Sequence, residues 1–305
     1  MTDLSFAPEH HLAAAHDAPL QSLAFAKGRD LYATGDTNRV VKVWENGKLI
    51  YQLPLTSRHD KIRPTERIRG LVFSPSGDQL YTACGDKVMA WDMASGQCVW
   101  SYRPPRSFGF LIVSPCALAV SPEGELAVAT DAGRISVWTP EGALRAHWYD
   151  NDSPRHLSFA SDDKLIGTDS FTFCSWKAAL GRKLGTNKLK ERAYGFASTP
   201  TGSRICLRSI HGLDVLDGES GERIAHFPVD YGLPLISISD DGRFVALGGL
   251  TEVRVHDLET GATRLYTTGS AVLKSLKFKS PGELAAGCSD GTLRFWNVDA
   301  APVAA

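Results

Sequence analysis

Residues 275–298, SLKFKSPGELAAGCSDGTLRFWNV, decide the fold of this 305-residue chain. In the first run Leu276 and Phe278 alternate with polar residues, and a Ser-Pro-Gly turn, a run of small residues and an Asp-Gly turn follow. A second alternating run ends at Trp296. Each run is too short for a helix and has the two-residue period of a strand. The stretch therefore predicts three antiparallel strands joined by tight turns.

The same unit recurs six more times upstream. Aligned on the last apolar position of the third strand, the copies place one slot residue each, 38 to 47 residues apart by subtraction of their numbers: Trp44, Trp91, Trp138, Trp176, Leu216, His256 and Trp296. A turn precedes each slot by 13 to 16 residues, at Gly28, Gly77, Gly124, Asp163, Gly202, Gly242 and Gly282. This near-constant spacing indicates a propeller or solenoid of repeated units, and no 3.6-residue period persists to support a helical repeat.

The unit resembles the WD-repeat (Trp-Asp repeat) β-propeller family, whose four-stranded blades carry a Trp-Asp pair at the end of the third strand. The pair is complete at Trp91-Asp92 and degraded in the other copies. The resemblance implies an all-β fold, a single seven-bladed β-propeller of four-stranded antiparallel blades. It also implies structural roles, within the pair or in a network of His, Ser or Thr, Asp and Trp, for His16, Thr34, Asp36, Trp44, Trp91, Asp92, Trp138, Trp176, Asp290 and Trp296.

Seven copies of about 40 residues account for the chain, so one domain over residues 1–305 is predicted. Blades are expected near 21–57, 68–102, 115–149, 155–187, 193–228, 233–267 and 272–300. Residues 1–20 precede the first complete repeat, and the last repeat has three strands. We expect this N-terminal segment, through residues 11–15, to be the outer strand of the last blade and to close the ring, because an open edge invites aggregation.

Composition limits the classes of partner and compartment. The 33 Lys and Arg balance the 34 Asp and Glu, so no global field favours nucleic acid or a membrane. The six cysteines are scattered without a CxxC pair, which favours a reducing compartment. The N-terminus lacks a basic region followed by an apolar run, and no run of about 18 apolar residues is present. We therefore expect a cytoplasmic protein with no membrane partner.

Two connections are longer than the others. Those leading into the second and third blades each hold about seven extra residues, by comparison of the intervals from slot to turn. In WD-repeat propellers such connections lie on one face, and insertions into repeats commonly mark a binding face. Both are rich in arginine and the second also in aromatic residues, a composition that suits protein-binding hot spots as well as phosphate or base contacts. The alternative is that the charges are solvated and the aromatic rings pack beneath their own loops.

The candidate partner-binding residues come from these connections and from loops expected on the same face. The arginines would pair with acidic groups, and the aromatic rings would be buried as anchors. The first connection supplies Arg63, Arg67 and Arg69, the second supplies Tyr102, Arg103, Arg106 and Phe108, and other loops supply Arg155, Arg208 and Tyr231.

Catalytic motifs are absent from the sequence: there is no GxSxG, HExxH or GxxxxGK[ST], and no GxGxxG follows a strand. Aspartates recur once per blade near the second turn, as a structural role predicts and a unique metal site does not. We expect no cofactor, no metal and no enzymatic activity. The leading hypothesis is a scaffold that binds a partner protein or peptide carrying acidic groups. Nucleic-acid binding by the same face and a metal-dependent propeller hydrolase are the alternatives.

Overall fold

The structure, a computed structural model, describes residues 5–6, 10–12, 15–55, 67–105, 113–160, 163–229 and 232–299. Strands make up almost all of its regular structure. Two short strands come first, β1 (Ser5–Phe6) and β2 (His10–Leu12). A single 3-10 turn, Ala178–Leu180, is the only helical element in these ranges.

Strand β2 and all later strands form the seven four-stranded antiparallel blades of a β-propeller, and we number the blades in chain order. Blade 1 contains β3 (Leu20–Phe25), β4 (Leu31–Asp36), β5 (Val40–Glu45) and β6 (Lys48–Pro54). Blade 2 contains β7 (Ile68–Phe73), β8 (Gln79–Cys84), β9 (Lys87–Asp92) and β10 (Cys98–Tyr102). Blade 3 contains β11 (Pro115–Val120), β12 (Leu126–Thr130), β13 (Arg134–Trp138) and β14 (Leu144–Tyr149). Blade 4 contains β15 (His156–Ala160), β16 (Lys164–Thr168), β17 (Thr172–Lys177) and β18 (Arg182–Lys188).

The later blades follow the same order. Blade 5 contains β19 (Gly195–Ser198), β20 (Arg204–Arg208), β21 (Leu213–Asp217) and β22 (Arg223–Phe227). Blade 6 contains β23 (Leu235–Ile238), β24 (Phe244–Gly248), β25 (Glu252–Asp257) and β26 (Thr263–Thr267). Blade 7 contains β27 (Leu273–Ser280), β28 (Glu283–Cys288) and β29 (Leu293–Asn297), with β2 as its fourth strand.

The chain forms two compact units. Unit 1 comprises Met1–Leu23, Ala193–Thr199 and Ser203–Ala305, and it holds blades 5, 6 and 7. Unit 2 comprises Ala24–Arg192 and Pro200–Gly202, and it holds blades 2, 3 and 4 and blade 1 from Ala24 onward. In each unit the apolar core lies between successive sheets: one cluster joins blades 1 and 2, and others join 2 to 3, 3 to 4, 5 to 6 and 6 to 7.

The second strand of a blade is the most buried element. Every residue of β4, β12 and β24 is buried, because a strand between two others in a sheet packed on both faces has no exposed side. Small residues let neighbouring sheets approach there, and a Cβ at Gly35 in β4 would lie 2.8 Å from Cδ1 of Ile68. The alternating burial of the first strands and the uniform burial of the second explain the two hydrophobic patterns of the repeat.

The turn after the first strand needs a left-handed backbone, which explains its glycines. Gly77 and Gly242 have φ of 75° and 76°. In blade 4 Asp163 takes the glycine position and still has φ of 63°. Its carboxylate accepts a hydrogen bond from the Ala179 N–H at 2.6 Å, which compensates for the strain of a non-glycine residue there.

The N-terminal segment contributes two strands. The outer strand of the last blade, predicted at residues 11–15, is present as β2 at His10–Leu12, and residues 13–14 lie outside the described ranges. It pairs antiparallel with β29, with His11 opposite Arg294. The sequence did not predict β1, which adds in parallel to β26 and makes that sheet five-stranded. Two residues are too few to produce a readable hydrophobic period.

Outer strands of blades 1 to 5 share an irregularity beside the slot residue. The pairing register of the third and fourth strands shifts there in each of these blades. In blade 6 the register of β25 and β26 is continuous. The slot residue of blade 6 is His256, whose Nδ1 lies 2.8 Å from the hydroxyl of Thr263 directly opposite, and this contact holds the regular pairing.

Candidate functional site

Blade 1 brings together three of its four predicted structural residues. The Trp44 indole donates to the Thr34 hydroxyl at 2.8 Å, and the Asp36 carboxylate accepts from the Val40 N–H at 2.9 Å. His16 is also buried, and its backbone N–H donates to the Gly291 carbonyl at 3.1 Å. Each of these polar groups has a hydrogen-bond partner within the fold, as polar groups buried from water must.

The other slot tryptophans vary in partner. Trp91 donates to Thr82 at 3.1 Å, and Trp138 donates to Ser136 at 3.0 Å. The Trp296 indole N–H has no hydrogen-bond partner within the described part of the chain. The slot is therefore first a packing position, to which a hydrogen bond is added where a hydroxyl is available.

Aspartates at two repeated positions close turns. Asp92, the aspartate of the complete Trp-Asp pair, accepts from the Ser95 N–H at 2.8 Å, and Asp217 accepts from Ser220 in the same way at 2.8 Å. Near the second turn, Asp169 accepts from the Thr172 N–H at 2.6 Å. Asp36, Asp131 and Asp290 also accept backbone N–H bonds. Each carboxylate thus accepts a backbone hydrogen bond of its own blade, a structural role that accounts for the recurrence of these aspartates.

Five arginines of unit 2, which we call the basic edge, lie at one edge of blades 2, 3 and 4: Arg67, Arg69, Arg103, Arg134 and Arg155. In a four-stranded antiparallel sheet the first and third strands begin, and the second and fourth end, at the same edge. Arg67 precedes β7, Arg103 follows β10, Arg134 begins β13 and Arg155 precedes β15.

The edges of these blades meet through their first strands. Strand β11 packs between β7 and β15, and a Cβ at Gly70 of β7 would lie 3.3 Å from Leu118 of β11. Burial and Asp131 raise the pKa of the Cys116 thiol to about 11, and the charges of Arg155 and Arg69 oppose this rise. The charges of Arg69 in blade 2 and Arg155 at blade 4 therefore both act on the Cys116 thiol of blade 3. Arg69 and Arg155 thus lie near the start of β11.

Few of these cations have an acidic partner. Arg103 pairs with Asp86, with Nε 3.6 Å from Oδ1. Within the described ranges, Arg67, Arg69, Arg134 and Arg155 form no ion pair, and the buried Nε atoms of Arg69 and Arg134 have no hydrogen-bond partner. Four of the five arginines of the basic edge thus lack a direct ion pair among the described residues, while Asp86, Asp131 and Asp169 lie in turns at the same edge.

An exposed aromatic ring lies beside these charges. Tyr149, the last residue of β14, is 65% exposed, and the Arg134 guanidinium lies 5.9 Å from its ring centroid. Neither Tyr149 nor Arg134 was among the contact residues predicted from the sequence. The signal was available in the alternation of residues 147–149, in which Trp148 packs against Trp176 and its neighbours point away.

The remaining predicted contact residues are either packed within the fold or lie outside the described residues. Tyr102 packs its ring 4.4 Å from that of Trp138 and is half-buried, so it supports the blade instead of offering an exposed anchor. Arg208 is 3% exposed inside blade 5, where it donates to the Gly212 carbonyl at 3.4 Å. Both lie within the fold because strand alternation, which the loop composition did not reveal, turns them inward. Four others lie outside the described residues: Arg63, Arg106, Phe108 and Tyr231.

One cluster near the basic edge has the composition of a metal site. Ligand atoms of Asp150, Asp152 and Cys174 lie within 4.8 Å of one another. The Lys183 ammonium already bridges the two carboxylates, at 3.0 Å from Asp150 and 2.7 Å from Asp152, and Trp176 donates to Asp150 at 2.8 Å. Burial raises the pKa of the Asp150 carboxyl, but hydrogen bonds from the Asp152 N–H, Lys183 and Trp176 outweigh it and the net pKa is lowered. The cluster is an ion-paired link between blades 3 and 4.

Comparisons with known proteins agree with this architecture. The family model described as WD domain, G-beta repeat matches residues 263–297, which run from β26 to β29. The chain is also similar to WD repeat-containing protein 90 of Homo sapiens, with 23% identity over 337 aligned residues that cover 95% of this chain. The chain spans 18% of the length of that relative. No helix within the described ranges has the length and apolar character needed to cross a membrane.

The seven repeats, the seven four-stranded sheets and these two similarities support the assignment of the chain to the WD-repeat β-propeller family.

Proposed function

We propose that this protein is a non-enzymatic interaction platform that binds an acidic segment of a partner protein at the basic edge. WD-repeat propellers generally bind other proteins, which supports the class of function. The observation that carries the site is a set of arginines at adjacent edges of three blades, Arg67, Arg69, Arg134 and Arg155, that form no ion pair with the residues the structure describes, with the exposed ring of Tyr149 among them.

The mechanism is recognition by a rigid scaffold. Carboxylates of the partner would pair with Arg67 and Arg155, whose exposed guanidinium groups lie just before first strands. Tyr149 would contribute buried apolar area, since tyrosine and arginine are enriched at binding hot spots. The sheets fix the backbone positions from which these side chains extend, so little backbone entropy is lost on binding.

Nucleic acid is the second candidate for the same edge. Arginines beside an exposed aromatic ring can also grip phosphate and stack a base. The balance of 33 basic and 34 acidic residues counts against it, because nucleic-acid-binding domains usually carry a basic excess. A steep loss of RNA or DNA affinity with added salt at physiological concentrations would favour this alternative.

The test is affinity capture from native lysate with a double charge reversal, Arg67→Glu with Arg155→Glu. The matched control is Lys48→Glu with Arg182→Glu, which makes the same charge change at exposed positions on outer strands of blades 1 and 4. We expect specific partners to be retained by the wild type and the control and lost, at least about tenfold, by the double reversal, since two charge-assisted contacts are removed. Equal capture by all three proteins would remove the basic edge as the site.

A further inference from the structure

Two buried hydrogen-bond donors of the basic edge have no acceptor within the described part of the chain. They are the Nε–H of Arg134, at the start of β13, and the hydroxyl of Tyr102, at the end of β10. A buried donor without an acceptor destabilises a fold, so each one in a native structure calls for an explanation. Both side chains are only half-buried, which places these donors close to the surface.

The two donors lie near each other. Arg134 is directly opposite Tyr149 in the pairing of β13 and β14, and its guanidinium lies 5.9 Å from the Tyr149 ring centroid. Burial raises the pKa of the Tyr102 hydroxyl, the charge of Arg134 opposes this rise, and Tyr149 adds to it. Arg134 and Tyr149 therefore both lie close to the hydroxyl of Tyr102.

Neighbouring groups of the fold do not use these donors. The Ser136 hydroxyl also lowers the pKa of Tyr102, but it lies outside hydrogen-bonding geometry with Tyr102 and its oxygen already accepts from the Trp138 indole at 3.0 Å. Arg134 forms no ion pair with the residues that the structure describes. Its backbone N–H and carbonyl both bond to the Thr130 hydroxyl at 3.1 Å, so the start of β13 is held without the guanidinium.

We propose that Arg134 and Tyr102 form the subsite of the basic edge that binds one aspartate or glutamate carboxylate of the partner's acidic segment, an inference that rests on the proposed function. The two donors match the two oxygens of a carboxylate. The guanidinium gives a charge-assisted hydrogen bond to one oxygen, and the phenol donates to the other. A water molecule accepting from both donors would leave the guanidinium charge without a counter-ion.

Tyr149 has a separate part in this subsite. Its ring is 65% exposed and stands beside the guanidinium. When the segment binds, the ring helps to exclude water from the ion pair, and the pair gains strength because the local dielectric constant falls.

The first test measures the stability of the free protein. Tyr102→Phe removes the hydroxyl and keeps the ring, which packs 4.4 Å from that of Trp138. Loss of a donor that has no acceptor in the fold costs no stability. We expect the thermal midpoint of the variant to equal or exceed that of the wild type within about 2 °C. A larger decrease would show that the hydroxyl bonds within the fold, and would overturn its assignment to a ligand.

The second test follows the arginine Nε–Hε signals by NMR while the full chain is titrated with hexaglutamate at low salt, where ion pairs are least screened. Hexaglutamine is the uncharged control peptide. The signals of Arg67, Arg134 and Arg155 are identified by their loss in single Lys substitutions. Tyr51→Phe, which removes a phenol from the outer strand of blade 1, is the matched control variant.

We expect hexaglutamate, and not hexaglutamine, to shift the Arg134 signal, and Tyr102→Phe but not Tyr51→Phe to weaken the Kd at least about threefold, since one hydrogen bond to a charged group is lost. Shifts at Arg67 and Arg155 without one at Arg134 would overturn the subsite and leave the basic edge as the binding site. No shift at any of the three would count against both. Saturation by inorganic phosphate at a lower concentration than by hexaglutamate would overturn the assignment to a carboxylate.

Discussion

The histidine at the slot of blade 6, His256, makes the free energy of unfolding depend on pH. Burial, with the charge of Arg254, lowers the pKa of His256 to about 4. In the unfolded chain an ordinary histidine titrates near about 6.5. Between these values the unfolded state binds a proton that the folded state does not, so the free energy of unfolding rises with pH in this window. The stabilisation is present above the unfolded pKa and is lost as pH falls toward 4.

We expect the wild type to lose on the order of 2 kcal/mol of unfolding free energy between pH 7.5 and pH 5 through this residue. His256→Leu should remove that part of the loss, since Leu216 fills the same slot in blade 5. Urea unfolding at both pH values measures the difference. An unchanged pH dependence in the variant would show that His256 is not the titrating group.

The indole hydrogen bonds at the slots make a second prediction at the residue scale. Thr82→Val keeps the shape of a fully buried side chain but leaves the Trp91 indole N–H, now 3.1 Å from a hydroxyl, without an acceptor. We expect a cost of about 1–3 kcal/mol in denaturant unfolding, the usual penalty for an unsatisfied buried donor. In a double-mutant cycle with Trp91→Phe the two losses should not add. Full additivity, or a Thr82→Val variant as stable as the wild type, would contradict this role.

The hydrogen-bond partners of the slot residues were predictable from the sequence in some blades and not in others. Thr34 and Trp44, which the family resemblance placed in one network, are hydrogen-bonded to each other on adjacent strands of one blade. Asp36 accepts from the Val40 N–H. The acceptor of Trp176 was not predicted, since Asp150 belongs to the connection before its blade and reaches the slot only in the folded structure. A contact between distant segments leaves no local pattern to read.

At the scale of elements, the two strands of the N-terminal segment, β1 and β2, differ in how much of the fold they complete. Strand β2 completes blade 7, and Ala15, His16 and Ala18 beyond it are buried, whereas β1 adds only two parallel residues to blade 6. Only three residues, 7–9, separate the two strands in sequence, and yet they add to different blades.

Deletion of residues 1–18 should therefore destabilise the whole protein, lowering the thermal midpoint by about 5 °C or more, because a loss of ~1 kcal/mol shifts a domain of this size by about 2–4 °C. Deletion of residues 2–8 is the matched control and should shift the midpoint by less than about 2 °C. Calorimetry compares the two. Equal midpoints for the long deletion and the full chain would show that β2 is dispensable.

Strands were predictable from the sequence where the alternation of apolar and polar residues was long enough to recognise. Three strands per repeat and the turns between them follow from the spacing of slots and glycines. The bulges beside the slots and the parallel pairing of β1 were not predicted, because both are set by backbone hydrogen bonds between strands and change no hydrophobic pattern.

For the whole molecule, the number of blades follows from the number of repeats. The candidate site was predicted in part. Arg67, Arg69, Arg103 and Arg155 lie at one edge of unit 2, as the position of their connections indicated. Tyr149 and Arg134 were missed, because an exposed ring at the end of a strand differs from a buried one only through strand pairing.

The most direct test of the basic edge as a binding site is site-specific photo-cross-linking. A benzophenone side chain replaces Tyr149 in one protein and Ile224, exposed on the outer strand of blade 5, in another. We expect a partner protein from native lysate to cross-link to position 149 and not to position 224, and the product to disappear with Arg67→Glu and Arg155→Glu. Equal cross-linking at both positions, or a product at 149 that survives the charge reversal, would contradict the proposed site.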